Sequence, residues 1–522
     1  MSSKPVAVTR QGRLRGLAAD DVHAFLGIPF ARPPVGHLRF KAPLPPESWR
    51  GVRSADSFRA AAPQPELPVD PGLEISVPGL GAPQSEDCLY LNVWTPAVDH
   101  ARRPVMVWIH GGNFTMGSGA QADPTPLVRA HDVVVVAINY RLGALGFLYL
   151  NELLGDDVVA NPGLLDQAAA LRWVRDNVAA LGGDPDNVTL FGVSAGAFSI
   201  GALLGTPAAA GLFHRAILQS GAAHAGHSPA VGTRVAEGVL AELGVSARKA
   251  NVLLDVPTQT LLEAQEAYYS LQRALTRRQG YATADPTPTP VWAPAYQPVI
   301  DGAVVPRRGI DAVQAGACAA LALLVGCTLE EQKLSEAMDP EAPTTRESLL
   351  AYANELLLGD AAARDSRAEA VVSRYEADAP HAEPARIYSA IETDRIFRIP
   401  ALRLAEAQSR YSPASYAYVF AKSSPIPAIG AGHGVDIPYL FDQIGAPHLA
   451  AFAADVPESQ HLGRQMRAAW TSFARHGDPR HEMLPEWPPF SSADPATMLF
   501  DTPCAVVRDH LVARNRAWKD LL

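Results

Sequence analysis

A serine framed by glycines, Gly192-Val193-Ser194-Ala195-Gly196, follows an apolar run from Val188 to Phe191 and leads into a small-residue, helix-compatible segment, Ala197 to Leu204. In a strand, sharp turn and helix of this kind, glycines remove Cβ atoms where strand and helix crowd, and the strained turn lifts a serine hydroxyl clear of the sheet. Ser194 is therefore the candidate nucleophile. A serine hydroxyl reacts poorly until a base takes its proton, and the tetrahedral intermediate needs donors aimed at its oxyanion. A glycine-rich turn with a bystander serine would need neither, so the rest of the chain decides.

His110-Gly111-Gly112-Asn113-Phe114 directly follows the apolar run Pro104 to Ile109, where a glycine-rich loop can turn its backbone N–H groups toward a substrate carbonyl. Gly112, Asn113 and Ala195 are the candidate oxyanion donors. Among fifteen histidines, His433 stands out because the small-residue loop Gly430-Ala431-Gly432-His433-Gly434 lets an imidazole reach into a site. The acid is sought past a strand end. Ala320 to Val325 reads as a strand and ends in Gly326-Cys327-Thr328-Leu329-Glu330-Glu331, two adjacent carboxylates where catalytic groups of α/β sheets gather. A solvated first helical turn would also favour them. The order serine, acid, histidine is one that recurs in hydrolases.

The elements that must position these residues are legible as well. Pro104 to Ile109 and Val133 to Asn139 are continuous apolar runs of strand length, as expected for a sheet covered on both faces. Glu86 to Trp94, Arg215 to Gln219 and Tyr416 to Phe420 read as further strands. Leu164, Ala168, Leu171, Val174, Val178 and Leu181 fall at helical spacing and predict a crossover helix leading to the Val188 strand. Prolines keep Val6 to Phe40 out of any helix. Pro63 to Gln84, rich in Pro and Gly, reads as a surface flap, and Tyr281 to Pro298 as a proline-dense connector. Val231 to Leu271 reads as helical, residues 346–410 as helices with short turns, and Glu458 to His476 as a helix.

Composition narrows the partners. With 522 residues, 48% of them hydrophobic and 19% charged, the chain can bury a large core. Its net charge of -10 and lack of basic runs disfavour nucleic acid or an anionic membrane. The start, Met1 to Pro5, lacks the apolar stretch of a signal peptide, and runs such as Val133 to Ile138 are too short to cross a bilayer, so a cytoplasmic location is expected. Cys88, Cys318, Cys327 and Cys504 have neither the density of a disulfide scaffold nor the spacing of a zinc site. They read as free core thiols, and no metal or cofactor is expected.

Taken together, these stretches make the chain resemble the type B carboxylesterases, the family that also contains the cholinesterases. The matching segments run over nearly the whole length: Gly27 to Ala31, Glu86 to Pro96, the loop at His110, Asn139 to Gly143, Asp166-Gln167, Gly182 to Pro185, the turn at Ser194, Gln219 to Gly221, His433-Gly434 and Gly477 to Pro479. The resemblance implies an α/β-hydrolase fold, a mostly parallel central sheet flanked by helices with a helical lid. Residues 1–522 would form one domain, with flap and lid insertions at about 63–84 and 229–300. It implies hydrolysis of small carboxylic esters through an acyl-enzyme, with Ser194 as nucleophile, His433 as base and Glu331 as acid. The register from Gly326 favours Glu331 over Glu330. An amidase or carbamate hydrolase would use the same machinery, and some relatives are non-catalytic adhesion or scaffolding proteins, though these generally lack the nucleophile. Monomer and homodimer are both open.

Three departures from the family pattern stand out. Val193 replaces the usual carboxylate before the nucleophile, and Gln332 the glycine that usually follows the acid. Ala62 stands where secreted relatives place the partner of the cysteine at Cys88, consistent with a reducing compartment. With no aromatic residue in the flap and no acid at 193, uncharged, mostly apolar esters are expected in preference to choline esters, unless Trp292 or Tyr296 folds into the site.

Overall fold

The computed structural model describes residues 4–19, 21–65, 83–279, 295–339, 342–356, 361–508 and 511–518. In chain order the strands are β1 (Val6–Val8), β2 (Arg13–Arg15), β3 (Leu17–Ala19), β4 (Val22–Pro29), β5 (Val52–Ser54), β6 (Tyr90–Thr95) and β7 (Arg103–Ile109). There follow β8 (Val134–Ile138), β9 (Gly183–Val193), β10 (Arg215–Gln219), β11 (Ala322–Thr328), β12 (Ser415–Phe420), β13 (Ala496–Phe500) and β14 (Ala505–Arg508). One large sheet has the order β14-β13-β12-β11-β10-β9-β7-β8-β6-β4-β3, and β1, β2 and β5 form a small separate sheet. From β13 across to β8 every neighbouring pair is parallel; the antiparallel pairs lie at the two edges.

Alternation along the central strands feeds two cores. Val105, Val107 and Ile109 of β7 face one core with Leu190, Leu218 and Val325, where the helices Pro162–Asn177, Ala195–Leu203 and Ile399–Ser409 cover the sheet. Met106 and Trp108 face the other with Phe191, Ile217 and Leu324, covered by Leu462, Met466, Trp470 and Phe473 of the Pro457–His476 helix. This two-sided cover is why the strands read as unbroken apolar runs.

The predicted crossover helix is Pro162–Asn177, extended by a 3-10 turn to Leu181. The region predicted helical after Val231 comprises Pro229–Glu242, a kinked 3-10 segment Ala247–Leu254 and Thr258–Gln279. Several expectations are corrected. A 3-10 turn, Gly36–Leu38, does form in the N-terminal segment, just past Pro33-Pro34, where no proline interrupts it. Strand β6 starts at Tyr90, because Glu86 is drawn off to the Arg39 guanidinium (Nε to Oε2, 2.9 Å). Strand β11 runs on to Thr328, since Gly326 lets the neighbouring β12 backbone approach: a Cβ there would lie 2.3 Å from Tyr418 O. Between Pro384 and Ser409 no turn intervenes; a π-helical segment, Asp394–Arg398, joins two helices end to end.

Most of the flap, residues 66–82, and most of the connector, residues 280–294 with Trp292, lie outside the described residues. The base of the flap is not surface. Gln64, 6% exposed, accepts from Gly117 N–H at 2.8 Å and donates to Gly117 O at 3.1 Å. Among the described residues no helix is long and apolar enough to cross a membrane. The four cysteines are free, Cys88 and Cys327 buried and Cys318 and Cys504 half-buried.

Candidate active site

Strand β9 ends at Val193 and the next helix begins at Ala195, so Ser194 makes the turn, at φ 55° and ψ -124°. Such a backbone costs a residue with a side chain on the order of 1–3 kcal/mol and persists only where its surroundings hold it. Here Ser194 N–H donates to Gln219 O at 3.0 Å, and Ser194 O accepts from Phe198 N–H at 2.9 Å. The flanking glycines are a steric requirement. A Cβ on Gly196 would lie 2.0 Å from Ile109 O, and one on Gly192 2.6 Å from the same atom.

The loop after β7 curls through left-handed backbone at Asn113 (φ 55°) and Phe114 (φ 61°), with Gly112 at φ 114°. Gly112 O accepts from the N–H groups of Thr115 and Met116 at 3.0 Å, and a Cβ on Gly112 would lie 2.2 Å from Met116 O. Tyr140 O–H donates to His110 O at 2.9 Å, and Gly143 N–H to Phe114 O at 2.7 Å, pinning both ends. The turn leaves the amides of Gly112 and Asn113 without an intrachain partner among the described residues. Ala195, as the first helical residue, has no carbonyl one turn back to receive its N–H. His110 is stacked on Tyr140 at 4.5 Å, and burial pushes its imidazole down to about 4, so it stays neutral.

Past the end of β11 the two adjacent carboxylates part company. Glu330 is held by Arg386 and Lys333 and accepts from Ala431 N–H at 2.9 Å. This braces the loop that carries His433, where Gly430 takes a left-handed φ of 57° that favours glycine. Glu331 is buried; its Oε1 accepts from Thr328 N–H at 2.7 Å and its Oε2 lies 2.5 Å from His433 Nδ1. The backbones are tied too, His433 N–H donating to Glu331 O at 3.2 Å. Burial alone would lower the His433 basicity, but the Glu331 charge and hydrogen bond, with a contribution from Asp436, hold its imidazole above the usual value.

Ser194, His433, Glu331, Gly112 and Asn113 line one cavity of about 500 Å³. Ala195, 1% exposed, adjoins it through Ser194. Around them the wall is largely apolar and neutral, with Val193, Met116, Ile437 and Leu449 beside the carboxamides of Gln121, Gln332 and Gln443. The departures at 193 and 332 thus both face the cavity. Aromatic support is present, against expectation: Trp108, Tyr269, Phe397 and Phe441 reach the wall from β7, the Thr258–Gln279 helix, the π-helical segment and the loop after His433. Tyr296 does not; it is fully buried.

Sequence reasoning missed Phe397, whose ring sits 5.4 Å from that of His433, and Tyr269, because nothing local distinguishes them from core aromatics. Asp436 was findable as the third residue after the histidine.

A serine on a strained strand-to-helix turn, a carboxylate-held imidazole and a loop of free amides, on the C-terminal ends of a parallel sheet, define a serine hydrolase of the α/β type. A model of the carboxylesterase family matches residues 3–517, and the chain belongs to that family. It is similar to the para-nitrobenzyl esterase of Bacillus subtilis (strain 168), 36% identical with 97% of this chain and 96% of the relative covered, and to the phenmedipham hydrolase of Pseudarthrobacter oxydans, 35% identical with 98% of each covered. Among solved structures, a carboxylesterase of Geobacillus stearothermophilus superposes with a TM-score of 0.84 at 37% identity, covering 98% of this chain and 99% of the other. The protein is a carboxylic ester hydrolase with the α/β-hydrolase fold.

Proposed function

We infer that Ser194 is the nucleophile, His433 its base, Glu331 the acid that orients and stabilises the imidazolium, and the N–H groups of Gly112, Asn113 and Ala195 the oxyanion donors. The observation that carries this reading is the 2.5 Å contact between His433 and Glu331 in the same cavity as a serine on a strained turn. His433 takes the Ser194 proton as the hydroxyl attacks the ester carbonyl, and the three amides receive the oxyanion. The imidazolium then protonates the departing alkoxide. Water, deprotonated by the same imidazole, opens the acyl-enzyme. Residues 1–522 work as one domain, with the insertions at about 63–84 and 229–300 as flap and lid.

The substrates are uncharged, mostly apolar esters. Supporting this, Glu331 and His433 are the acid and base of a wall that is otherwise neutral among the described residues, and Val193 brings a methyl-bearing side chain to the nucleophile. The same machinery can open amides and carbamates, so these form the second arm of the test. The free thiols and the net charge of -10 suit a reducing, cytoplasmic setting with a small molecule as the partner.

Ser194→Ala should lower kcat by about 10³-fold or more, since oxyanion and binding effects alone remain. Retention of more than about a tenth of the activity in the purified variant would sink the assignment. A panel of p-nitrophenyl esters of graded chain length, with matched anilides and carbamates, reads the substrate class.

A further inference from the structure

Three residues beyond His433 lies a carboxylate that the chemistry above leaves unused. Asp436 is fully buried. Its Oδ2 accepts from Gln219 Nε2 at 2.8 Å, and Gln219 is turned that way by Trp470, whose indole N–H donates to Gln219 Oε1 at 3.1 Å. Its Oδ1 has no hydrogen-bond partner among the described residues. The ionisable groups facing it come from three elements: Glu331 from the loop after β11, His433 from its own loop, and Tyr418 from β12. Among the described residues no Lys or Arg is paired with it. Burial, opposed by the Gln219 bond and aided by the Glu331 charge, pushes its carboxyl up to about 6.

A buried carboxylate with an orphan oxygen is unfavourable unless an opposite charge stands near. Of the described groups that face Asp436, only His433 can become a cation. We propose that Asp436 acts through His433, its buried charge stabilising the imidazolium across space while Glu331 holds the same ring by hydrogen bond. The cation that forms when Ser194 gives up its proton thus faces two carboxylates. Gln219 and Trp470 fix the second one in place. The inference rests on His433 being the base.

The test is Asp436→Asn, which keeps size and hydrogen bonding and removes the charge. The pH dependence is read twice, as kcat/KM for a neutral ester and as the rate at which a fluorophosphonate modifies the enzyme. The acid limb should move to lower pH by about half a unit or more, and the plateau should fall about tenfold, because the base is weaker. Simple structural damage would lower the plateau and leave the limb in place. Gln219→Leu provides a second reading: deprived of its donor, Asp436 keeps its proton to higher pH, and the limb should move the same way. A limb unmoved within about 0.2 unit in both variants overturns the inference. His433→Ala separates the two claims. If it retains activity, the base assignment fails; if it loses activity while the Asp436→Asn limb stands still, only the role of Asp436 fails.

Discussion

At the scale of single residues, Glu330 and Glu331 show how neighbours of one type divide the work. Glu331 aims both oxygens inward, at Thr328 N–H and His433 Nδ1, whereas Glu330 holds Arg386, Lys333 and the His433 loop. Glu331→Gln should therefore lower kcat by roughly 10²- to 10⁴-fold, since a carboxamide can favour the wrong imidazole tautomer. Glu330→Gln should stay within about tenfold, its loss read chiefly as a lower Tm. Equal losses of kcat would move the acid elsewhere. The residues alone left this pair open, because partners such as Arg386 are distant in sequence and no local pattern announces them. The same surroundings set the pH profile. Glu331 and Asp436 outweigh the burial that would lower the His433 basicity. Only neutral imidazole accepts a proton, so kcat/KM should fall as pH drops through a midpoint above the reference value of about 6.5. A midpoint below about 6 would contradict the geometry of this pair.

Among elements, agreement between sequence and structure is best where both faces of a strand are buried. Strand β10 occupies Arg215–Gln219, the span its apolar run predicts, and the strand, turn and helix at Ser194 follow from the glycines. The small sheet of β1, β2 and β5, the edge strand β14 and its neighbour β13 escaped notice, being three to five residues long and held by pairing that no short run reveals. Likewise Arg141 and Asp166 lie in stretches that matched the family, but their bond did not show. In the structure they form a buried pair, 3% and 0% exposed, with guanidinium and carboxylate 2.7 Å apart. Arg141→Met leaves a buried carboxylate unpaired and should destabilise the fold by about 3–5 kcal/mol, measured by denaturant unfolding. A loss below about 1 kcal/mol would mean that Asp166 sheds its charge at little cost. The turn itself offers a second check. Gly196→Ala puts a methyl against Ile109 O, and should yield protein with a lowered Tm and little activity; normal behaviour would mean that strand and helix separate more easily than this packing allows.

Over the whole molecule, the cavity gathers residues from β7 at one end of the sequence to the loop after β12 at the other, so its wall could not be read from any one stretch. Four aromatic side chains line it where none was expected, and the case against choline esters now rests on charge alone, since the lining carboxylate, Glu331, is engaged by His433. Butyrylcholine should still be a poorer substrate, by kcat/KM at one ionic strength, than an uncharged ester of similar size and leaving ability; a choline ester better by about tenfold would show that the aromatic faces suffice to hold the cation. All four cysteines should titrate as thiols in freshly denatured, unreduced protein, and fewer would place this chain in an oxidising setting unless a linked dimer explains the deficit. The central claim, that Ser194 is the one hydroxyl activated by this arrangement, is tested most directly by mass spectrometry of the fluorophosphonate-treated enzyme. A single adduct on the peptide containing Ser194, absent from Ser194→Ala and formed far more slowly in His433→Ala, is the expected result. An adduct on another serine, or labelling that persists in Ser194→Ala, would contradict it.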